Sequence, residues 1–313
     1  MRQITIRLYH PVKDEQAVFA LWNSLLDHTW PLSLHTFHNI TLDSIAYQEG
    51  DHLIAEDEHT ILGFLATQTK PKKHQAQPRG EIMLLLVEKT KQRTGIGRRL
   101  LAAGLAHLKR KGMRDVQLGG GGNAYFWPGV PTNLPGAVSF FEALGWQNTE
   151  TSVDMAMNLK DYATPAFVWE RIRPQHLVFQ IANQHDFSDL LRFEKANFPQ
   201  WYGYFLSKYE KRQYGDVLCV KDHTNAIVGT VIVESDPMWE QLLGKNTGTI
   251  GALGVAERMR GQGIGLALAA KATEMLKIRN MTTSYLGWTW LIGWYGKLGY
   301  TVWRDYQMSW KRL

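Results

Sequence analysis

Apolar residues recur at Leu101, Leu105 and Leu108 among charged neighbours, a helical spacing that predicts a helix over Gly97–Lys111 with Gly112 just past its end. Apolar runs predict strands near Ile4–Tyr9, Leu53–Glu56, Ile61–Thr67, Ile82–Val87 and Asp115–Leu118. Helical patterns cover Glu15–Leu26 and the stretch around Leu34–Ile40, and a short helix at Ala137–Leu144 precedes a strand near Ser152–Leu159. From Leu177 the order repeats, with strands near Val217–Val220, Ile227–Val233 and Thr249–Val255 and a helix over about Ile264–Arg279. Alternation of this kind implies α/β or α+β sheets with covered faces. The stretch Lys160–Gln175, with Pro165 and Pro174, reads as a linker, so the expected domains are 1–162 and 176–313, joined by 163–175.

The chain is written twice. Glu81–Leu108 reads EIMLLLVEKTKQRTGIGRRLLAAGLAHL, and Thr249–Leu276 reads TIGALGVAERMRGQGIGLALAAKATEML. Val87 aligns with Val255, Gln92 with Arg260, Gly95 with Gly263 and Gly97 with Gly265, each pair 168 residues apart (255 less 87, 260 less 92). Further on, Phe140-Phe141-Glu142-Ala143-Leu144-Gly145-Trp146 echoes Trp294-Tyr295-Gly296-Lys297-Leu298-Gly299-Tyr300. The first half carries extra residues within Gly119–Pro135, an aromatic, Pro-rich insert around Tyr125-Phe126-Trp127-Pro128.

Composition narrows the classes. With 313 residues, 44% hydrophobic and 20% charged, the chain has the composition of a globular protein of about two domains. No apolar run reaches the length of a membrane span, and Arg2, Arg7 and His10 break up any signal peptide, so a cytoplasmic protein without membrane contact is expected. The single Cys219 excludes an intramolecular disulfide, and its apolar neighbours place it in a buried strand. His28, His35 and His38 lack a completing carboxylate in register, so no metal is expected. The net charge of +6 suits an anionic ligand. The basic loop Thr69–Gly80 reads as a solvated hairpin tip rather than a nucleic-acid surface.

In each half a strand runs through a Gly-rich turn into a helix: Gln92-Arg93-Thr94-Gly95-Ile96-Gly97 and Arg260-Gly261-Gln262-Gly263-Ile264-Gly265. Glycines let such a turn approach a ligand closely, and the first turn of the helix offers unpaired N–H groups at the positive end of its dipole. That device binds phosphate, pyrophosphate above all. A dinucleotide fold would place the turn after the first strand and an acidic residue about 20 positions on, and neither copy does so. One such motif is a weak signal; two at matched spacing after a valine are specific.

Together these residues resemble the GNAT acetyltransferase superfamily, whose signature is Gln/Arg-x-x-Gly-x-Gly/Ala followed later by Tyr-x-x-Leu-Gly-aromatic. The resemblance covers both halves. It implies two tandem GNAT-like domains, each a mixed, mostly antiparallel sheet with helices on both faces. It implies acetyl-CoA as cosubstrate, its pyrophosphate on the residues just named and its pantetheine arm beside the strand ending at Val87 or at Leu253 and Val255. Gly248, Gly251 and Gly254 would loosen that second strand enough for a bulge. The acceptor would be the amine of a small molecule or peptide, attacked directly in a ternary complex, and the protein a monomer or homodimer. Tyr295 stands where the family carries its general acid, whereas Phe141 in the first half has no proton to give. The C-terminal half is therefore expected to be catalytic and the N-terminal half degenerate. Glu81 stands where some members carry a base, opposite Thr249 in the second half, so the base is either Glu81, or Glu234, Asp236 or a water relay. The rival reading is an acyl-CoA-binding protein with decayed sites.

Overall fold

The computed structural model describes residues 4–42, 47–58, 60–70, 79–120 and 126–313. The chain divides into two compact units: Met1–Ser152 with Arg304–Leu313, and Val153–Trp303.

In the first unit, β1 (Thr5–Leu8) leads to α1 (Pro11–Leu26), α2 (Leu34–Thr41) and the strands β2 (Leu53–Asp57), β3 (Thr60–Lys70) and β4 (Arg79–Val87). Then come α3 (Ile96–Arg110), β5 (Asp115–Leu118), β6 (Val130–Pro131), α4 (Pro135–Glu142) and β7 (Glu150–Asn158), the last crossing into the second unit. The sheet runs β1-β2-β3-β4-β5 and ends on a strand from the far end of the chain, β14 below. Its pairs are antiparallel except β4–β5. Both faces carry helices: Phe64 meets Phe37 of α2 (ring centroids 6.5 Å apart), and the next residue, Leu65, lies against Gly104 of α3.

The second unit repeats the order after a short helix of its own, α5 (Ala166–Ile172). It continues β8 (Val178–Ile181), α6 (Phe187–Asn197), α7 (Tyr202–Glu210), β9 (Val217–Lys221) and β10 (Ile227–Ser235). There follow α8 (Glu240–Leu243), β11 (Thr247–Val255), α9 (Ile264–Ile278), β12 (Thr283–Thr289), α10 (Ile292–Gly296), β13 (Thr301–Met308) and β14 (Trp310–Arg312). Here the sheet includes the run β7-β12-β11-β10-β9-β8, parallel at β11–β12 and antiparallel at the other pairs of that run. Again the faces alternate: Gly229 lies under Leu268 of α9, and Thr230 bonds Glu194 of α6. The mixed, mostly antiparallel sheets are those the family resemblance implied.

The compact units break inside β7 and β13 rather than within 163–175. The last strand of each half serves the other unit's sheet: β7 pairs with β12, and β14 pairs with β5. Arg304 fastens the returning segment in the first unit, its guanidinium 3.5 Å over the Trp30 ring and donating to Thr29 O at 2.6 Å. Nor is 163–175 a bare linker, since it contains α5, whose Val168 and Ile172 join the buried core around α9. Burying such side chains stabilises by about 1.5–3 kcal/mol each.

Candidate active site

Two irregularities in β11 open the second unit's sheet. Its parallel pairing with β12 runs Thr247↔Thr283, Gly248↔Ser284, Thr249↔Tyr285 and stops there, so the two strands part. On the other side, Thr230↔Gly254 and Ile232↔Gly251 leave Ala252 and Leu253 both opposite Val231, a bulge in which Ala252 has φ +49°. The bulge lies between the glycines expected to permit one, and Gly254 has a second reason to be glycine: a Cβ there would stand 2.3 Å from the Phe198 ring. The half-buried Leu253 thus sits on a strand whose outer edge has lost its ladder partner, leaving backbone groups for a ligand.

After Val255 the chain turns through Arg260–Gly265. Arg260 Nε donates to Val255 O at 3.2 Å, and in the other unit Gln92 Nε2 donates to Val87 O at 3.1 Å. This explains the Gln/Arg alternative in the motif: either side chain can close the turn onto the strand's last carbonyl. Gly261 (φ +76°) and Arg93 (φ +62°), which occupy one repeat position, share the left-handed conformation. Gly263 and Gly95 cap their helices at φ +92° and +94°. Ala267 N–H to Gly263 O is the first α9 bond, as Arg99 N–H to Gly95 O is for α3. The N–H groups of Ile264, Gly265 and Leu266, like those of Ile96, Gly97 and Arg98, therefore have no acceptor within their helices. Thr94, exposed, donates its hydroxyl to Lys91 O at 2.6 Å. An aromatic ring backs each turn, Trp294 against Gly265 and Phe140 against Gly97.

Next to Trp294 stands Tyr295, edge-on to it (4.6 Å, 88°) and to Tyr300 (5.9 Å, 72°). Burial pushes its phenol up to about 12, so it keeps its proton at neutral pH. Among the described residues no side chain hydrogen-bonds its hydroxyl. Phe141 holds the matching place in the first unit, edge-on to Trp146.

The first unit's strands also part, after Ile82↔Leu118, and β4 bulges at Met83. There the gap is filled. Gly119 N–H donates to Ile82 O (2.8 Å), and Phe126 and Trp127 stack on each other (5.0 Å) among Trp22 and Trp30. Together with Gly120 they close on Met83 and Leu84, leaving a void too small for water. Tyr125 lies outside the described residues. Glu81 is fully buried, accepts from Gln68 Nε2 at 2.5 Å, and lies so close under Gly120 that a Cβ there would sit 2.3 Å from its carboxylate. Those contacts pack Glu81 between β3 and the start of the insert.

Other carboxylates flank the second site. Glu234 is held by Lys208, which also bonds Asp216 at 2.9 Å. Asp236, where β10 ends, is pushed up to about 6 by burial and by Glu234, Asp154 and Glu240. Glu194, which the sequence reading passed over, is fully buried on α6, bonded to the Thr230 hydroxyl and raised to about 8 by burial. Cys219 is buried, its thiol pushed up to about 12. His38 pairs with Glu15 at 2.5 Å, and among the described residues no three His, Cys, Asp or Glu side chains gather as a metal site. No helix of the described residues is long and apolar enough to cross a membrane.

A strand that parts from its parallel neighbour, bulges, and delivers a Gly-rich turn to a helix leaves a row of backbone N–H groups suited to an anionic ligand. Accordingly, the chain belongs to the acetyltransferase (GNAT) family, whose profile matches residues 17–146 and 181–300. It is 27% identical over 161 residues to a mycothiol acetyltransferase of Saccharomonospora viridis, an alignment covering 49% of each chain. The chain thus matches about half the length of that curated relative. Among solved structures, it resembles a GCN5-related glucosamine N-acetyltransferase region of a fungal multi-domain GH3 beta-N-acetylglucosaminidase. The TM-score is 0.89 and the identity 28%, over 99% of this chain and 38% of that one. A tandem GNAT protein from the clavulanic acid biosynthesis pathway shares the fold, with a TM-score of 0.66 and 15% identity, over 99% of this chain and 98% of that one.

Proposed function

We propose that this chain transfers the acetyl group of acetyl-CoA to the amine of an amino sugar, and that the second unit does the work. The observation that carries the reading is the contrast between the parted strands: in the second unit β11 leaves β12 beside the bulge at Ala252 and Leu253, whereas in the first Phe126 and Trp127 close on Met83 and Leu84 where β4 leaves β5. The unpaired N–H groups at the start of α9 suit a pyrophosphate, and those of the bulged strand suit a thioester oxygen as it gains charge. The amine nitrogen attacks the thioester carbon, the carbon–sulfur bond breaks, and one proton passes in net from nitrogen to sulfur. Tyr295, protonated at neutral pH, donates to the departing thiolate. Of the nearby carboxylates Asp236 is the base we assign, directly or through water, because it ionises near pH 6 while Glu234 is engaged by Lys208. The amino-sugar acceptor rests on the likeness to the glucosamine N-acetyltransferase region, and the exposed Trp290 at the rim offers a flat face for a sugar ring.

Release of free CoA thiol from acetyl-CoA, followed with glucosamine, a polyamine and a peptide amine in turn, tests this. Glucosamine-dependent release is expected. Release with the peptide alone would overturn the acceptor, and tight acetyl-CoA binding without release to any amine would favour the non-catalytic reading.

A further inference from the structure

The second unit's turn carries a side chain that the first lacks. Arg171, in the last turn of α5, lays its aliphatic arm on Gly263: a Cβ there would meet Arg171 Cδ at 2.8 Å and Nε at 3.1 Å. Its Nη2 donates to Gly261 O at 2.7 Å, and Gln175 Nε2 donates to Gln262 O at 2.9 Å. Around Gly95 no described atom stands within 4 Å of the equivalent point.

A guanidinium in this place is electrostatically out of order. The N-terminus of α9 is the positive end of its dipole, its first turn holds no acidic residue, and the loop before it carries Arg258 and Arg260 against a single Glu257. Arg258 has Asp222 only at 3.6 Å, and Arg171 makes no ion pair among the described residues. One of five guanidinium N–H groups is spent on Gly261 O while the side chain stays exposed. An anion would turn that repulsion into attraction. The anchoring of α5 by Val168 and Ile172 fixes the guanidinium beforehand, which lowers the entropic cost of binding.

We propose that Arg171 is a phosphate-binding residue of the second unit's acetyl-CoA site, holding either the pyrophosphate or the 3′-phosphate. This rests on the reading that α9's turn holds acetyl-CoA. It makes the segment between the halves part of the site and gives one of two like turns the higher affinity.

The test compares the wild type with Arg171→Gln and Arg171→Lys against acetyl-CoA, acetyl-3′-dephospho-CoA and S-acetylpantetheine, which has no phosphate. For Arg171→Gln, Kd for acetyl-CoA should rise about ten- to a hundredfold, with S-acetylpantetheine unchanged and part of the loss restored by lysine. A loss that persists with the 3′-dephospho form assigns the contact to the pyrophosphate; one that vanishes assigns it to the 3′-phosphate. Unchanged acetyl-CoA binding, or an equal loss with S-acetylpantetheine, would overturn the proposal. A wild type that binds no acetyl-CoA would instead sink the function proposed above, and this residue's role with it.

Discussion

The two Gly-rich turns are near copies in backbone and opposites in surroundings. Each has a side chain closing onto a valine carbonyl, a left-handed residue two positions before its capping glycine, and an aromatic ring behind. Beyond that, the first faces a strand gap packed with tryptophan and phenylalanine and sealed over Glu81. The second follows a bulged strand and carries the Arg171 guanidinium on Gly263, with Tyr295 next to the Trp294 ring behind it. Duplication preserved what the backbone needs in order to fold, while the side chains around each turn diverged.

The comparison can be broken from the first unit. Trp127→Ala should lower stability by about 3–5 kcal/mol, because a buried ring stacked on Phe126 leaves a cavity, while activity per folded molecule stays the same. Denaturant melts and specific activity check both halves of that statement. A rise in acetyl-CoA stoichiometry would show instead that the plug alone silences the first unit. In the second unit, Tyr295→Phe should reduce kcat about a hundredfold with little change in the KM for acetyl-CoA, read from steady-state kinetics. An unchanged kcat would remove the tyrosine from the chemistry.

Smaller effects sharpen the contrast. Gly263→Ala meets both a left-handed φ and the Arg171 side chain, whereas Gly95→Ala meets only the φ. The first should cost about 1–2 kcal/mol and the second about 1 kcal/mol in thermal or urea unfolding. The smallest effect concerns Glu194, whose carboxyl binds its proton more tightly folded than unfolded. Its contribution is fully present below pH 4.5, the ordinary glutamate value, and is lost as pH rises through about 8. Glu194→Gln should flatten that part of the stability–pH profile and leave the protein relatively more stable at pH 8 to 9. A profile that keeps its slope would show that another group titrates there.

Much of this was legible in the chain. Local periodicity marks α3, α9 and β4, and the repeat exposes both turns, because a cradle of backbone N–H groups needs glycine at fixed spacing. The Tyr295–Phe141 contrast is readable for the same reason. Strand partnership is not local: nothing within Glu150–Asn158 says that it joins β12, or within Trp310–Arg312 that it joins β5. The plug was also hidden, since nothing within the insert Gly119–Pro135 says that Phe126 and Trp127 turn inward onto β4. For α5 there was a signal. IGRRLLAAGLAHLKR in α3 has a charged face, whereas IGLALAAKATEML in α9 is apolar nearly all round and buries ten side chains. A helix of that kind requires a cover on its outer side, and α5, with Arg171, provides it.

The most direct test is a calorimetric titration of acetyl-CoA into the wild type, Arg93→Asp and Gly261→Asp. These matched positions are both left-handed, which aspartate tolerates, and the substitution sets a negative charge at the mouth of one turn at a time. The account predicts one molecule bound per chain, kept in Arg93→Asp and lost in Gly261→Asp. Two molecules per chain, or a single one lost with Arg93→Asp, would contradict it.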